Sequence, residues 1–150
     1  MKGKLYFSSS KPSVASVNAS TGQVTGKQVG SAKISVYVKA KGSYKKSNVL
    51  SQSIKVTKPS KPTLSKVSAG KNSLTVSWKK TTSSGYIVEY AKDKKFKKSK
   101  LTKIVKGGTT QKFTIKNLKK GTTYYVRVYA YGYTTKIRSA ASGIKNQKAK

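Results

Sequence analysis

The sequence predicts an all-β protein made of two strand-rich blocks, and three observations predict it. Short apolar runs alternate with polar residues at a period of two. Gly, Ser, Pro, Asn and Lys separate those runs at short intervals. No segment carries the sustained i, i+3, i+4 stripe that a helix needs to bury one face. Successive side chains of a strand point to opposite faces, so the alternation gives each run one buried side and one wet side.

In the first block Ile34, Val36 and Val38 alternate with Ser35, Tyr37 and Lys39. The stretch Thr57-Lys58-Pro59-Ser60-Lys61-Pro62 closes that block, because two prolines without an N–H are unsuited to a central ladder and suit a linker. In the second block Leu74, Val76 and Trp78 alternate with Thr75 and Ser77, and Tyr124, Val126, Val128 and Ala130 alternate with Tyr125, Arg127 and Tyr129. The expected division is a domain over 1–58, a linker at 59–61, a domain over 62–147 and a basic tail at 148–150.

The charge is extreme: 34 Lys and Arg against two acids, a formal net charge of +32. Arg127 and Arg138 are the only arginines. Residues 1–58 hold 11 Lys and no acid, and residues 61–150 hold 23 Lys or Arg and both acids, so the charge is shared between the blocks. A disordered polycation would lack the regular β-branched and aromatic alternation, which places the lysines on solvent faces and in loops of folded domains. Such a field attracts any polyanion.

The missing residue types exclude most chemistry. Without His or Cys there is no His/Cys zinc site, no Cys nucleophile and no Ser-His-Asp triad. Glu89 and Asp93 are the only side-chain carboxylates, so a glycosidase pair would have to be these two, and an all-carboxylate calcium cage is ruled out. Ser-x-x-Lys spacings such as Ser8 to Lys11 are expected by chance in a chain this rich in both residues. The expectation is a chain that is not an enzyme, with no catalytic, cofactor or metal residues. No apolar run approaches the ~18 residues of a membrane span. Met1-Lys2-Gly3-Lys4-Leu5 is no signal peptide, so either an export signal has been removed or the chain is an excised segment.

From Pro62 onward, Leu74-Thr75-Val76-Ser77-Trp78, Gly85-Tyr86-Ile87-Val88-Glu89-Tyr90 and Phe113-Thr114-Ile115-Lys116-Asn117-Leu118 stand in the order of a known pattern. Leu118-Lys119-Lys120-Gly121-Thr122-Thr123-Tyr124 then places a Leu six positions before a Tyr. This second block resembles fibronectin type III domains. The resemblance implies that Trp78 is the core tryptophan, and that Tyr124 is a buried corner tyrosine with its hydroxyl bonded to backbone at the turn. The first block, through Tyr6-Phe7-Ser8-Ser9-Ser10-Lys11-Pro12-Ser13-Val14-Ala15-Ser16-Val17, Thr21-Gly22-Gln23-Val24-Thr25-Gly26 and Gly30-Ser31-Ala32-Lys33-Ile34, resembles bacterial Ig-like group 2 domains. In that family one or two strands precede the Tyr-x-Ser-Ser segment. The implied fold is thus two Ig-like β-sandwich modules in tandem, the first a reduced sandwich. It would have an open edge or exposed apolar face, covered by the second domain or available for self-association.

Two candidate sites follow. Lys92, Lys94, Lys95, Lys97, Lys98 and Lys100, continued by Lys103, form a polyanion-binding loop or, alternatively, an ordinary solvated loop. If Tyr124, Val126 and Val128 face the core, then Tyr125, Arg127 and Tyr129 face outward with Ile87, and Tyr131 extends the row. Such a face suits protein or glycan contacts, or it serves cross-strand stabilisation through a Glu89–Arg127 pair. Base-specific readout is not expected with almost no Arg and no recognition helix.

The resemblances imply an extracellular module of a bacterial surface or secreted protein. Its Lys-rich faces would bind anionic polymers such as teichoic acid, sulfated host glycans, extracellular DNA and other nucleic acid without sequence preference. One alternative is a soluble fragment acting as an irisin-like ligand on a host cell-surface receptor; another is an inert spacer between domains.

Overall fold

The computed structural model describes residues 4–43 and 45–150; Met1, Lys2 and Gly3 of the N-terminal segment lie outside the described residues. Those residues form twelve strands and no helix, in two compact units: the described residues up to Lys58 with Thr134–Ile137, and Pro59–Tyr133 with Arg138–Lys150.

The first unit contains β1 (Leu5–Ser9), β2 (Ala15–Val17), β3 (Val24–Gly26), β4 (Gly30–Val38) and β5 (Leu50–Val56). β4 is the centre of an antiparallel sheet in the order β1-β4-β5, and β2 pairs with β3. The register opposes Phe7 to Val36 and Ala32 to Ile54 on one face, and Tyr6 to Tyr37 and Ser8 to Ser35 on the other. The buried centre of the apolar face is small, consisting of Ala15, Ala32 and Val56 with Val14 and Ile137 packed against it. Leu50 remains 70% exposed. Leu5, Val29 and Val49 are also exposed. Asn18 shapes the β2–β3 turn, its Oδ1 accepting the N–H groups of Ser20 and Thr21 at 2.9 Å each.

The second unit contains β6 (Leu64–Gly70), β7 (Ser73–Trp78), β8 (Gly85–Ala91), β9 (Leu101–Lys106), β10 (Lys112–Ile115), β11 (Thr123–Tyr131) and β12 (Lys145–Lys148). They make two antiparallel sheets, in the orders β10-β7-β6 and β12-β11-β8-β9. Each strand turns its alternate residues inward. Leu74, Val76 and Trp78 meet Tyr86, Val88, Val126 and Val128 in one core that Ile115, Leu118 and Tyr124 extend. The fully buried aliphatic members each contribute roughly 1.5–3 kcal/mol relative to exposure. Trp78 and Tyr86 pack with ring centroids 5.1 Å apart.

The corner expected at Tyr124 is present. Its ring is buried and its hydroxyl accepts the backbone N–H of Lys119 at 3.2 Å. Gly121, at φ 76°, supplies the left-handed step that a side chain would resist. Residues 148–150 are not a tail. Lys148 is the last residue of β12, Ala149 is buried and bonded to Gly121 and Thr122, and the carbonyl of Lys150 accepts the N–H of Asn72 at 2.7 Å. Lys148 is paired with Thr123 of β11, and the backbone bonds of Ala149 and Lys150 satisfy groups of the neighbouring turns.

Candidate functional site

β8 is buried along its whole length, on both faces. Its inner residues Tyr86, Val88 and Tyr90 belong to the core. The register places its outer residues in rows: Ile104, Ile87 and Tyr129 in one, Thr102, Glu89 and Arg127 in the next. At the end of the strand a Cβ on Gly85 would lie 2.7 Å from the ring of Tyr133, so glycine lets that ring close over the sheet.

Glu89 is the chemical centre of this face, with only 2% of its surface exposed. Its Oε2 accepts Arg127 Nε at 2.8 Å and Nη2 at 2.7 Å, and the Tyr129 hydroxyl at 3.2 Å. Its Oε1 lies 3.5 Å from Arg138 Nη1 and 3.7 Å from Lys100 Nζ. Burial alone would raise its pKa. The hydrogen bond and charge of Arg127, with Lys100 and Tyr129 behind them, bring it below the ordinary value. Burial and the neighbouring carboxylate push the Tyr129 phenol up. Guanidinium and ring layers complete the arrangement: Arg127 lies 4.1 Å from the centroid of Phe96 and 5.5 Å from that of Tyr129, and Arg138 lies 4.7 Å from Tyr129.

Phe96 comes from the β8–β9 connection, the Lys-rich loop. It is the buried residue among exposed lysines at 92, 94, 95, 97, 98 and 100. The loop is held from inside by Asp93, whose Oδ1 and Oδ2 accept the N–H groups of Lys97 at 3.2 Å and Lys98 at 3.0 Å. Those backbone bonds, Lys98 first, lower the Asp93 pKa. Phe96 and Ser99 both take positive φ, which lets the chain reverse and drop the ring onto Arg127. Both side-chain carboxylates of the protein thus hold one basic loop: Asp93 fixes its backbone, and Glu89 fixes the Arg127 guanidinium on which Phe96 of the loop rests.

This corrects the expected outward face. Ile87 and Tyr129 point outward but are 8% and 6% exposed, covered rather than open. Arg127 is engaged with Glu89 and Phe96, and Tyr125 and Tyr131 remain half-buried. The exposed row read from alternation is therefore a clasp for the loop. Lys103 stays exposed on β9, the edge strand of its sheet. The two candidate sites, separate in the sequence, meet at Glu89. Sequence reasoning missed Phe96, Asp93 and Arg138 as parts of this site. A lone aromatic inside a lysine run, with an Asp a few residues before two of those lysines, was the available signal.

A shallow dish of about 630 Å³ is lined by Lys80, Thr81, Thr82, Ser83, Gly108 and Thr109, and holds no carboxylate to act as a base. The Tyr86 hydroxyl beneath it accepts the N–H of Thr81 at 3.0 Å and donates to the carbonyl of Gly108 at 3.2 Å, which ties the two loops together.

Fold and site together define a pair of Ig-like β-sandwich modules in tandem. Residues 57–142 match the fibronectin type III domain, and the chain belongs to that family; residues 2–49 match the bacterial Ig-like domain (group 2). Both are families of non-catalytic modules that typically occur in extracellular or surface proteins. Among the described residues no helix is long and apolar enough to cross a membrane. A Kelch domain-containing protein of Sulfurisphaera tokodaii is 34% identical over 73 residues, covering 49% of this chain and 10% of that protein. A β-1,2-glucanase structure from Parabacteroides distasonis shares the fold at 17% identity and a TM-score of 0.53, over 63% of this chain and 13% of the other. A myokine structure is 26% identical over 60% of this chain and 96% of the other, with a TM-score of 0.48. The chain thus spans about a tenth of the first two relatives.

Proposed function

We propose that the protein is a non-catalytic interaction module of a bacterial surface or secreted protein, which binds anionic polymers through the β8–β9 loop. The observation that carries this reading is the commitment of Glu89 and Asp93 to the shape of that loop. A solvated loop needs neither a buried aromatic nor two carboxylates to stay soluble. Here Phe96 and Asp93 fix the backbone while Lys92, Lys94, Lys95, Lys97 and Lys98 are left to solvent. Holding like charges close in a fixed arrangement costs free energy that a polyanion would recover on binding. Lysines act as point charges, so the reading favours teichoic acid, sulfated glycan or the backbone of nucleic acid over any base-specific target.

The test is binding of full-length protein to heparin, teichoic acid and double-stranded DNA across ionic strength. Affinity is expected to fall steeply between low and physiological salt, and to weaken when Lys94, Lys95, Lys97 and Lys98 become Gln. Binding that is insensitive to salt, or indifferent to those four substitutions, would sink the assignment. Absence of binding to all three polymers would leave a spacer.

A further inference from the structure

The first unit carries an arrangement that the loop does not. Tyr6 on β1 and Tyr37 on β4 are direct register partners on the outer face of the sheet, with ring centroids 6.1 Å apart and planes 23° from parallel. Three exposed ammonium groups surround them: Lys39 lies 4.5 Å and Lys4 5.9 Å from the Tyr6 centroid, and Lys46 lies 4.3 Å from that of Tyr37. Residues 1–58 contain no Asp or Glu, so these cations have no carboxylate of their own unit to pair with and rest on ring faces instead. Along the same face the register continues from the tyrosine pair to Ser8 opposite Ser35, then Ser35 opposite Ser51 and Lys33 opposite Ser53. At about 3.4 Å per residue, Lys33 lies roughly 14 Å along β4 from Tyr37.

We propose that this face is a docking surface for an anionic polysaccharide, in which Tyr6 and Tyr37 take the apolar side of a sugar ring while Lys4, Lys39 and Lys46 take its sulfate, phosphate or carboxylate groups. The inference rests on the polyanion reading above and deepens it by naming the ligand class. Charge alone would accept any polyanion. Stacked aromatic rings beside a row of hydroxyls ask for a partner with apolar ring faces and hydroxyl groups of its own. A lysine lying on a half-buried surface ring such as Tyr6 or Tyr37 is held weakly and swings to an incoming anion, and the same motion opens the ring face for stacking. Anion and sugar ring are thus recognised together. The β8–β9 loop offers no equivalent, because its aromatic ring is buried against Arg127.

The experiment compares heparin, inorganic polyphosphate and oligo(dT) binding to full-length protein at matched ionic strength. Tyr6→Ala with Tyr37→Ala is expected to lower heparin affinity about tenfold, the scale of one lost stacking contact, and to leave polyphosphate binding unchanged. Tyr6→Phe with Tyr37→Phe retains heparin binding. Equal losses for heparin and polyphosphate, or no loss for heparin, overturn the inference. A loss confined to oligo(dT) also overturns it and assigns the face to single-stranded nucleic acid. Because alanine at both positions could unfold a unit with so small a core, the wild-type protein is also titrated with a heparin tetrasaccharide by NMR. Ring resonances of Tyr6 and Tyr37 that do not move on saturation reject the proposal whatever the variants do. If wild-type protein binds none of the polymers, the loop reading fails as well; if the loop glutamines weaken polyphosphate while the tyrosines leave heparin untouched, only this inference fails.

Discussion

Glu89→Gln removes the carboxylate that Arg127, Arg138 and Lys100 share, while keeping its volume and one acceptor oxygen. Arg127 is the partner that suffers, because only 23% of its side chain is exposed and Phe96 covers its guanidinium. Removing one member of a buried ion pair costs roughly 3–5 kcal/mol. The remaining amide oxygen can still accept from Arg127, and Lys100 and Arg138, at 42% and 55% exposure, are screened by water and add little. The expected loss is about 2–3 kcal/mol, which for a domain under 100 residues corresponds to a Tm lower by roughly 10–20 °C. Trp78, the single tryptophan, sits in the core of this unit and reports its unfolding in urea or on heating. The pH dependence has a defined sign. The Glu89 pKa is depressed on folding from an ordinary 4.5, so its contribution is complete above that pH and is lost as pH falls through the lower folded value. Wild type and variant should therefore converge in acid. A variant within about 0.5 kcal/mol of wild type at pH 7, the range of neutral surface changes, would refute the reasoning. So would a gap that persists undiminished at the lowest pH at which both remain folded.

Asp93→Ala raises the net positive charge by one and removes the acceptor for the Lys97 and Lys98 N–H groups; heparin affinity is expected to fall, and a rise would mean that charge alone governs binding. Phe96→Ala uncovers Arg127 and should cost about 2 kcal/mol, less than a full core truncation because the ring belongs to a surface loop. A double-mutant cycle with Glu89→Gln should show coupling, since both residues hold Arg127, and additive losses would contradict the clasp. Tyr124→Phe leaves the Lys119 N–H without its acceptor and should lower stability by about 1 kcal/mol, read as a shift in the urea midpoint at constant slope; an unchanged midpoint would show that water replaces the hydroxyl.

The second unit was legible in the sequence wherever burial follows alternation. Leu74, Val76, Trp78, Tyr124, Val126 and Val128 point where the period of two sends them, because each strand has one face on the core. Alternation also gave the direction of Ile87, Arg127 and Tyr129 correctly, but not their exposure. Facing away from one core says nothing about what a loop will lay on top, and the covering ring, Phe96, lies 31 residues from Arg127 in the chain. The end of the chain escaped for a related reason: Lys148 and Lys150 read as solvated charges, whereas the backbone groups of Ala149 and Lys150 bond to Gly121 and Asn72. The tyrosine pair of the first unit was invisible because cross-strand register, not local pattern, places Tyr6 beside Tyr37.

A chain with a net charge of +32 repels itself, and this one places its acids so that they shape a loop rather than neutralise a surface. Monovalent salt and a bound polyanion both relieve that repulsion, but they differ in one respect. Salt screens all lysines alike, stabilising the fold while weakening any charge-driven complex over a Debye length of about 8 Å at physiological ionic strength. A ligand adds stability by mass action, in proportion to the logarithm of its concentration over its dissociation constant. Heparin at low salt should therefore raise the unfolding midpoint well beyond what sodium chloride of equal ionic strength achieves, and the excess should vanish as salt is added. An inert spacer would respond to heparin only as it does to the equivalent salt. The Lys94, Lys95, Lys97 and Lys98 glutamine variant separates the contributions further: it should be more stable than wild type at low salt, through lost self-repulsion, yet gain less from heparin. If it gains as much, the ligand is held elsewhere and the ordered loop has a purely structural role.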